Sequence, residues 1–302
     1  SRMGNDVFDR GTDEFTVTLG DGSHDAMSTD FGIIRNIRRI TIGHGETCLS
    51  DDSLYIHIDG DATRICVSEL SYNSTFVTAI AFADFTSGLV RIGHDPQSGN
   101  ASVVLVLLMD SDMPDSTLAR AGITATEAIT ASVQDLGLAY DSLTASGSVN
   151  QTIVTVCSKD SDLHLRGAGK HTKLGELIGR STIEAVKASA AGNGRSIASR
   201  MSLIDMMEAY GYDQEKLFSM SNCLDYTKFL DRVVAKDSEP KVLALVSAII
   251  HVNNEIQWGL LDPDTGMEVG IGLMRVGLRE PVRSEGLMDT LALNVALYFM
   301  DP

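Results

Sequence analysis

The run Ser102–Met109, SVVLVLLM, constrains the fold of this chain more than any other stretch. It is an almost unbroken series of β-branched and leucine side chains. Successive residues of a strand point to opposite faces, so a strand without polar alternation must be covered on both sides. The residues that follow supply a cover. Pro114 suits the first position of a helix, and Asp112 and Asp115 complement the positive end of its dipole. Leu118, Gly122, Ala125, Ile129, Val133 and Leu136 then recur at helical spacing until Gly137 stops the helix. A small-residue turn at 144–147 leads into a second buried strand over 152–158. After residues 167–170 the spacing predicts a helix over 173–190, with Leu174, Leu177, Ile178, Ser181 and Ala185 facing inward. Ala191-Gly192-Asn193-Gly194 ends it. Residues 100–192 therefore alternate strand, helix, strand, helix.

The flanks differ in texture. Residues 1–50 read as strands and turns, with FTVTLGDGS (15–23) as part of a hairpin. Residues 54–58 and 63–69 read as strands joined by the turn Asp59-Gly60-Asp61. Residues 76–83 suit strand or helix, and 88–100, with Gly93, Pro96 and Gly99, reads as loop. Beyond residue 200 the chain is helical through 236, and Pro240 opens a long apolar helix to Trp258. Asp262-Pro263-Asp264 turns, 267–276 reads as a glycine-interrupted strand, and 285–300 as a closing helix. No internal repeat is visible. The expectation is an α/β or α+β chain, with mixed β-sheets covered by helices and a helix-rich C-terminal region. Residues 3–200 form its core and 201–302 an extension.

The net charge of −17 argues against a nucleic-acid partner, which needs basic patches. Asp outnumbers Glu 28 to 13 and Arg outnumbers Lys 16 to 8, a surface suited to a salty cytoplasm or simply to solubility. No stretch has the length of a membrane span, and the polar start shows no leader-like apolar region. Ser1 and Arg2 ahead of Met3 read as an addition to a natural start. Cys48, Cys66, Cys157 and Cys223 form no CxxC pair, so a zinc ribbon or redox dithiol is not expected. Cys66 and Cys157 sit in apolar runs and read as buried thiols in a reducing, cytoplasmic compartment.

The densest chemistry lies in GAGKHTKLGELIGR, residues 167–180, where Lys170, His171, Thr172, Lys173 and Glu176 crowd the start of a helix. Histidine exchanges protons most easily near neutral pH, and a helix start offers N–H groups to a developing anion. The plainer reading has Thr172 as the helix cap and Lys173 and Glu176 as solvated neighbours. His44 and His94 lie in glycine-rich loops, and His57 alternates with apolar residues as in a strand. His24, His164 and His251 have no evident partner. The sequence has no HExxH, P-loop or GxSxG motif, so zinc-protease, P-loop and α/β-hydrolase readings lose their main support.

Three ordered segments carry a resemblance. They are GNASVVLVLLMDSDM (99–113) with LARAGITATEAIT (118–130), LTASGSVNQTIVTV (143–156), and GAGKHTKLGELIGRSTIEAVKAS (167–189). Together they resemble the adenosylcobinamide amidohydrolase family (CbiZ), best over 98–192, as a divergent member with a C-terminal extension. The resemblance implies hydrolysis of the amide joining aminopropanol to the corrin ring of adenosylcobinamide. That reaction gives adenosylcobyric acid in archaeal and some bacterial corrinoid salvage, with no metal or organic cofactor. The chain departs from the family at Val149, Asn150 and Gln151, in a turn where the family has glycine, threonine and aspartate. Ile129 replaces an expected lysine, and Tyr72-Asn73-Ser74-Thr75 stands near the place of an asparagine-glycine-glycine segment.

Amide hydrolysis needs an activated water or nucleophile, oxyanion donors and an acid for the leaving amine. The expected catalytic set is His171 as base or acid, with Lys170, Glu176, Glu127, Ser146 and Ser148. Thr172, Lys173, Thr126, Thr130, Asn150, Gln151 and His94 are the expected substrate contacts. A corrinoid-binding protein without hydrolysis, or a hydrolase for a different amide, stays open at this point. The apolar stretches 242–252 and 287–299 suit either a core or a homo-oligomer contact.

Overall fold

The computed structural model describes residues 6–95, 98–141, 143–192 and 202–300. Pro96, Asn193, Gly194 and the boundary expected near residue 200 lie outside the described residues. The described chain forms two compact units. One holds residues 6–136 and 146–192, and the other holds 137–145 and 202–300.

The first unit is built on the strand the sequence marks most strongly. β11 (Ser102–Met109) is buried along its whole length. It pairs in parallel with β15 (Asn150–Ser158), from Ser102 opposite Asn150 to Met109 opposite Cys157. On its other side it runs antiparallel to β9 (Thr75–Asp84). β8 (Cys66–Tyr72), β3 (His24–Ser28) and β4 (Gly32–Ile34) complete a six-stranded mixed sheet in the order β4-β3-β15-β11-β9-β8. A five-stranded sheet, β1-β2-β5-β7-β6, comes from Val7–Arg10, Glu14–Thr18, Arg39–Gly43, Ser53–His57 and Cys48–Ser50. Val104, Val106 and Leu108 of β11 share one core cluster with Ile40, Ile42, Leu54 and Ile56 of the smaller sheet. The alternate residues of β11 point the other way, towards two helices. α1 (Asp115–Asp135) packs on β15 and β3, and α2 (Lys173–Ala191) on β9 and β8. Both faces of β11 are thus covered, one by a sheet and one by helices.

Several expectations change. Residues 15–23 form no hairpin, because β2 and β3 belong to different sheets; Gly22, at φ +116°, sits in the crossing between them. Asp59-Gly60-Asp61 also leads between sheets, and Asp61 caps a 3-10 turn at Ala62–Arg64, so the next strand starts only at Cys66. Residues 76–83 are strand. Within 88–100, β10 (Leu89–Val90) pairs with β14 (Gly147–Ser148). Pro114 is the N-cap of α1 rather than its first residue, and Gly137 at φ +64° follows its end. The half-buried Gly122 and Leu136 leave the inward face to Thr117, Leu118, Ala121, Ala125, Ala128, Ile129 and Val133. Cys157 is fully buried but Cys66 only half so; burial pushes both thiols upward, and all four cysteines are free.

The second unit holds a short hairpin, β12 (Ala139–Tyr140) with β13 (Leu143–Thr144); the turn expected at 144–147 is the stretch from the end of β13 to the start of β14. The rest is helical: α3 (Leu203–Glu208), α4 (Gln214–Met220), α5 (Tyr226–Lys236), α6 (Pro240–Gln257), α7 (Pro263–Gly277) and α8 (Leu287–Phe299). The strand expected over 267–276 is therefore helix. Asp262 accepts a hydrogen bond from the Thr265 N–H at 2.9 Å and Pro263 opens the helix, so these residues start α7 instead of turning the chain. A Cβ on Gly266 or Gly270 would overlap the Ile256 or Leu287 side chain, so these glycines mark close helix packing, not strand breaks. Val242, Val246, Ile249, Leu291, Val295 and Phe299 are buried in the unit's own core. Among the described residues no helix is long and apolar enough to cross a membrane.

Candidate active site

The start of α2 is held by its own loop. Thr172 caps the helix, accepting from the Gly175 N–H at 3.0 Å and donating to the Gly169 carbonyl at 2.8 Å. The Thr172 N–H also reaches that carbonyl, at 2.8 Å. Thr124 of α1 pins the loop by donating to the Ala168 carbonyl at 2.8 Å. With the backbone fixed, Lys170 and His171 project to solvent. Lys170 Nζ lies 3.1 Å from Glu127 Oε1, an exposed pair whose partners are 76% and 49% accessible. Such pairs contribute less than about 1 kcal/mol, so Lys170 is free to exchange Glu127 for a ligand. The His171 ring rests on Gly169, where a Cβ would come within 2.9 Å of Cε1.

Lys173 pairs with Glu176 and places its ammonium 4.8 Å from the centre of the ring of Tyr72, the last residue of β8. Lys173 holds the Glu176 carboxyl below its ordinary range, and Arg180 lies 3.9 Å away. Glu176 is thus ionised and engaged along its own helix. Among the described residues no hydrogen bond joins it to His171.

The serines stand apart from this group. Ser146 Oγ accepts from the Ile92 N–H at 2.8 Å and lies 3.3 Å from the Val90 carbonyl, while Ser148 Oγ donates to the Asn150 carbonyl at 2.8 Å. Both hydroxyls serve turn backbone. Asn150 and Gln151 pair with Ser102 and Val103, at the amino end of β11, and the Gln151 side chain lies beside Gly147. Thr126 donates back to the Gly122 carbonyl at 2.9 Å, and His94 is exposed on its loop. α1 links the two groups: Thr130 donates to the Ser146 carbonyl at 2.9 Å, one helical turn from Glu127. Among the described residues no hydrogen bond joins Ser146 or Ser148 to Lys170 or His171.

A third group lies just past the carboxyl ends of β11 and β15, where open α/β sheets place their ligands. His164 Nδ1 is 2.9 Å from Asp112 Oδ2, and Lys159 pairs with the other carboxylate oxygen. Lys159 is the main cause of the lowered Asp112 value, and Asp112 in turn raises Lys159. Nearby in sequence, Asp115 accepts both terminal nitrogens of Arg35, at 2.9 and 2.7 Å, and Arg35 also reaches the buried Asp25 at 2.6 Å. Sequence reasoning missed these partners, since Asp112 and His164 are 52 residues apart. The one available signal was their position after two apolar strands.

His251 pairs with Glu255 at 3.5 Å in the second unit, His57 Nδ1 lies 3.0 Å from the Gly45 carbonyl, and His44 is exposed. His24 is buried, and burial lowers its value. Among the described residues no group of three or more His, Cys, Asp and Glu side chains is placed to hold a metal ion.

Residues 61–196 match the protein-family model for adenosylcobinamide amidohydrolase, CbiZ. All three segments that carry the resemblance lie inside the matched span, so this part of the chain is similar to CbiZ; the match takes in a little under half the chain. An uncharacterized protein of Methanocaldococcus jannaschii is 25% identical over 163 residues, spanning 45% of this chain and 63% of that relative. Among solved structures, the PH0078 protein from Pyrococcus horikoshii OT3 aligns with TM-score 0.36 and 11% identity, over 60% of this chain and 78% of its own. A Burkholderia sp. beta-aminopeptidase aligns with TM-score 0.36 and 10% identity, over 59% and 78%. At these TM-scores neither likeness bears on function.

Proposed function

We propose that this protein hydrolyses the amide joining aminopropanol to the corrin ring of adenosylcobinamide, releasing adenosylcobyric acid. The observation that carries this reading is the family match over residues 61–196, which contains the whole loop presenting Lys170 and His171. The local chemistry is compatible with it. Lys170 exchanges Glu127 for an acceptor oxygen of the bound substrate and holds it by a charge-assisted hydrogen bond. His171 and the unpaired N–H groups in the first turn of α2 stand beside it as further donors. The protein works in the cytoplasm on a small-molecule corrinoid and needs no cofactor of its own.

The test is incubation of the purified protein with adenosylcobinamide, followed by chromatography and mass analysis. Release of adenosylcobyric acid and aminopropanol supports the proposal. A parallel absorbance titration with cobinamide separates the failures. Binding without product indicates a corrinoid-binding protein, and neither binding nor product indicates a different amide or another role.

A further inference from the structure

We infer that His164, oriented by Asp112, transfers the proton in the hydrolysis proposed above; the inference rests on that reading. The His164–Asp112 bond, at 2.9 Å, is shorter than the 3.5 Å pair of His251 with Glu255 and is braced by backbone on both sides. The Asp112 N–H donates to the Leu163 carbonyl at 2.8 Å, and the Leu165 N–H donates to the Asp112 carbonyl at 3.0 Å. The two backbone segments thus clasp each other on either side of His164 as an isolated parallel bridge. The side-chain bond at 2.9 Å adds a third tie. Lys159 has only protons to donate and occupies the other oxygen, so Asp112 stays an acceptor. It therefore takes the Nδ1 proton of His164, leaving the Nε2 lone pair on a ring that is 68% accessible. A base fixed by a carboxylate behind it, with its free nitrogen facing outward, is the arrangement by which histidine activates water or a hydroxyl. His171, exposed just ahead of α2, has no such carboxylate bond among the described residues.

The step balances. Nε2 of His164 accepts a proton from water as the water oxygen bonds to the amide carbon. The same proton passes to the amide nitrogen as the C–N bond breaks. One water is consumed, an acid and an amine leave, and His164 returns neutral. Asp112 stays ionised and is a positioning residue.

Two variants test this, read in turnover of adenosylcobinamide and in the imidazole tautomer of His164 by nitrogen NMR. His164→Gln is expected to lower kcat about 100-fold or more with KM little changed. In Asp112→Asn the new carboxamide turns its oxygen to Lys159 and its NH2 to His164 Nδ1. That forces the proton onto Nε2 and lowers kcat similarly, while the thermal melt stays close to wild type. The wild-type ring is expected as the Nδ1–H tautomer. Undiminished kcat in His164→Gln, or a wild-type ring protonated on Nε2 alone, overturns the role and leaves the amidohydrolase reading standing. Wild-type protein that releases no product removes both.

Discussion

Gly175 has no room for a side chain, because a Cβ there would overlap the carbonyl oxygen of Gly169. This contact folds the loop ahead of α2 onto the helix's first turn and fixes where Lys170 and His171 point. Gly175→Ala must displace backbone, not a flexible side-chain tip. A loss of about 1–3 kcal/mol is expected, as for overpacked sites, together with loss of turnover. Gly179, one turn on, has open space around its Cβ position. Gly179→Ala is expected to stabilise by about 0.5–1 kcal/mol with turnover intact. Melting curves of the two variants make the comparison.

Lys170 and Glu127 are expected to matter for substrate and hardly at all for folding. Lys170→Met and Glu127→Gln break a solvent-exposed pair, so each changes stability by less than about 1 kcal/mol. Lys170→Met is expected to raise KM and lower kcat/KM for adenosylcobinamide. Steady-state kinetics beside a urea titration separate the two effects.

Acid sensitivity should begin with His24. Its ring is buried, and burial lowers its value below the ordinary 6.5 despite the nearby Asp6, Asp160 and Asp110; Arg38 lowers it further. Between the lowered folded value and 6.5 the unfolded chain binds the proton and the folded chain does not. Stability therefore falls as pH drops below about 6.5 and recovers as it rises. The Asp6 and Asp110 carboxyls are pushed upward by burial and act in the opposite sense at lower pH. Tm measured from about pH 7.5 to 5 should fall in wild type and flatten in His24→Leu. An unchanged slope in the variant places the acid sensitivity elsewhere.

The core of the first unit turns on β11. Leu105, fully buried, is expected to cost about 2–5 kcal/mol on replacement by Ala. Val234 in α5 is 83% exposed, and Val234→Ser should stay within about 0.5 kcal/mol of wild type. Chemical denaturation reads both.

Much of the first unit is legible in local pattern. Apolar continuity alone bounds Ser102–Met109, and the Thr172 cap with its following stripe starts α2 at Lys173. Pairing was less legible. Nothing in FTVTLGDGS says that the strand it holds, β2, and the strand after it, β3, join different sheets, because that choice is made by β15, which pairs with β3 from more than 120 residues away. Glycine misled at 267–276, where Gly270 makes room for Leu287 in a helix contact and the same residue in sequence reads as a strand break. The site divides in the same way. Lys170 and His171 follow from one dense segment, whereas the His164–Asp112 pair exists only once β11 and β15 lie side by side. Ser146 and Ser148, chosen for their hydroxyls, spend them on backbone: Ser146 on Val90 and Ile92, Ser148 on Asn150 of its own turn.

The most direct measurement is turnover of adenosylcobinamide by wild-type protein in water enriched in heavy oxygen. Hydrolysis as proposed gives adenosylcobyric acid carrying one heavy oxygen in its new carboxylate, and unlabelled aminopropanol. Adenosylcobinamide recovered intact and unlabelled, under conditions where the protein stays folded, contradicts the proposal.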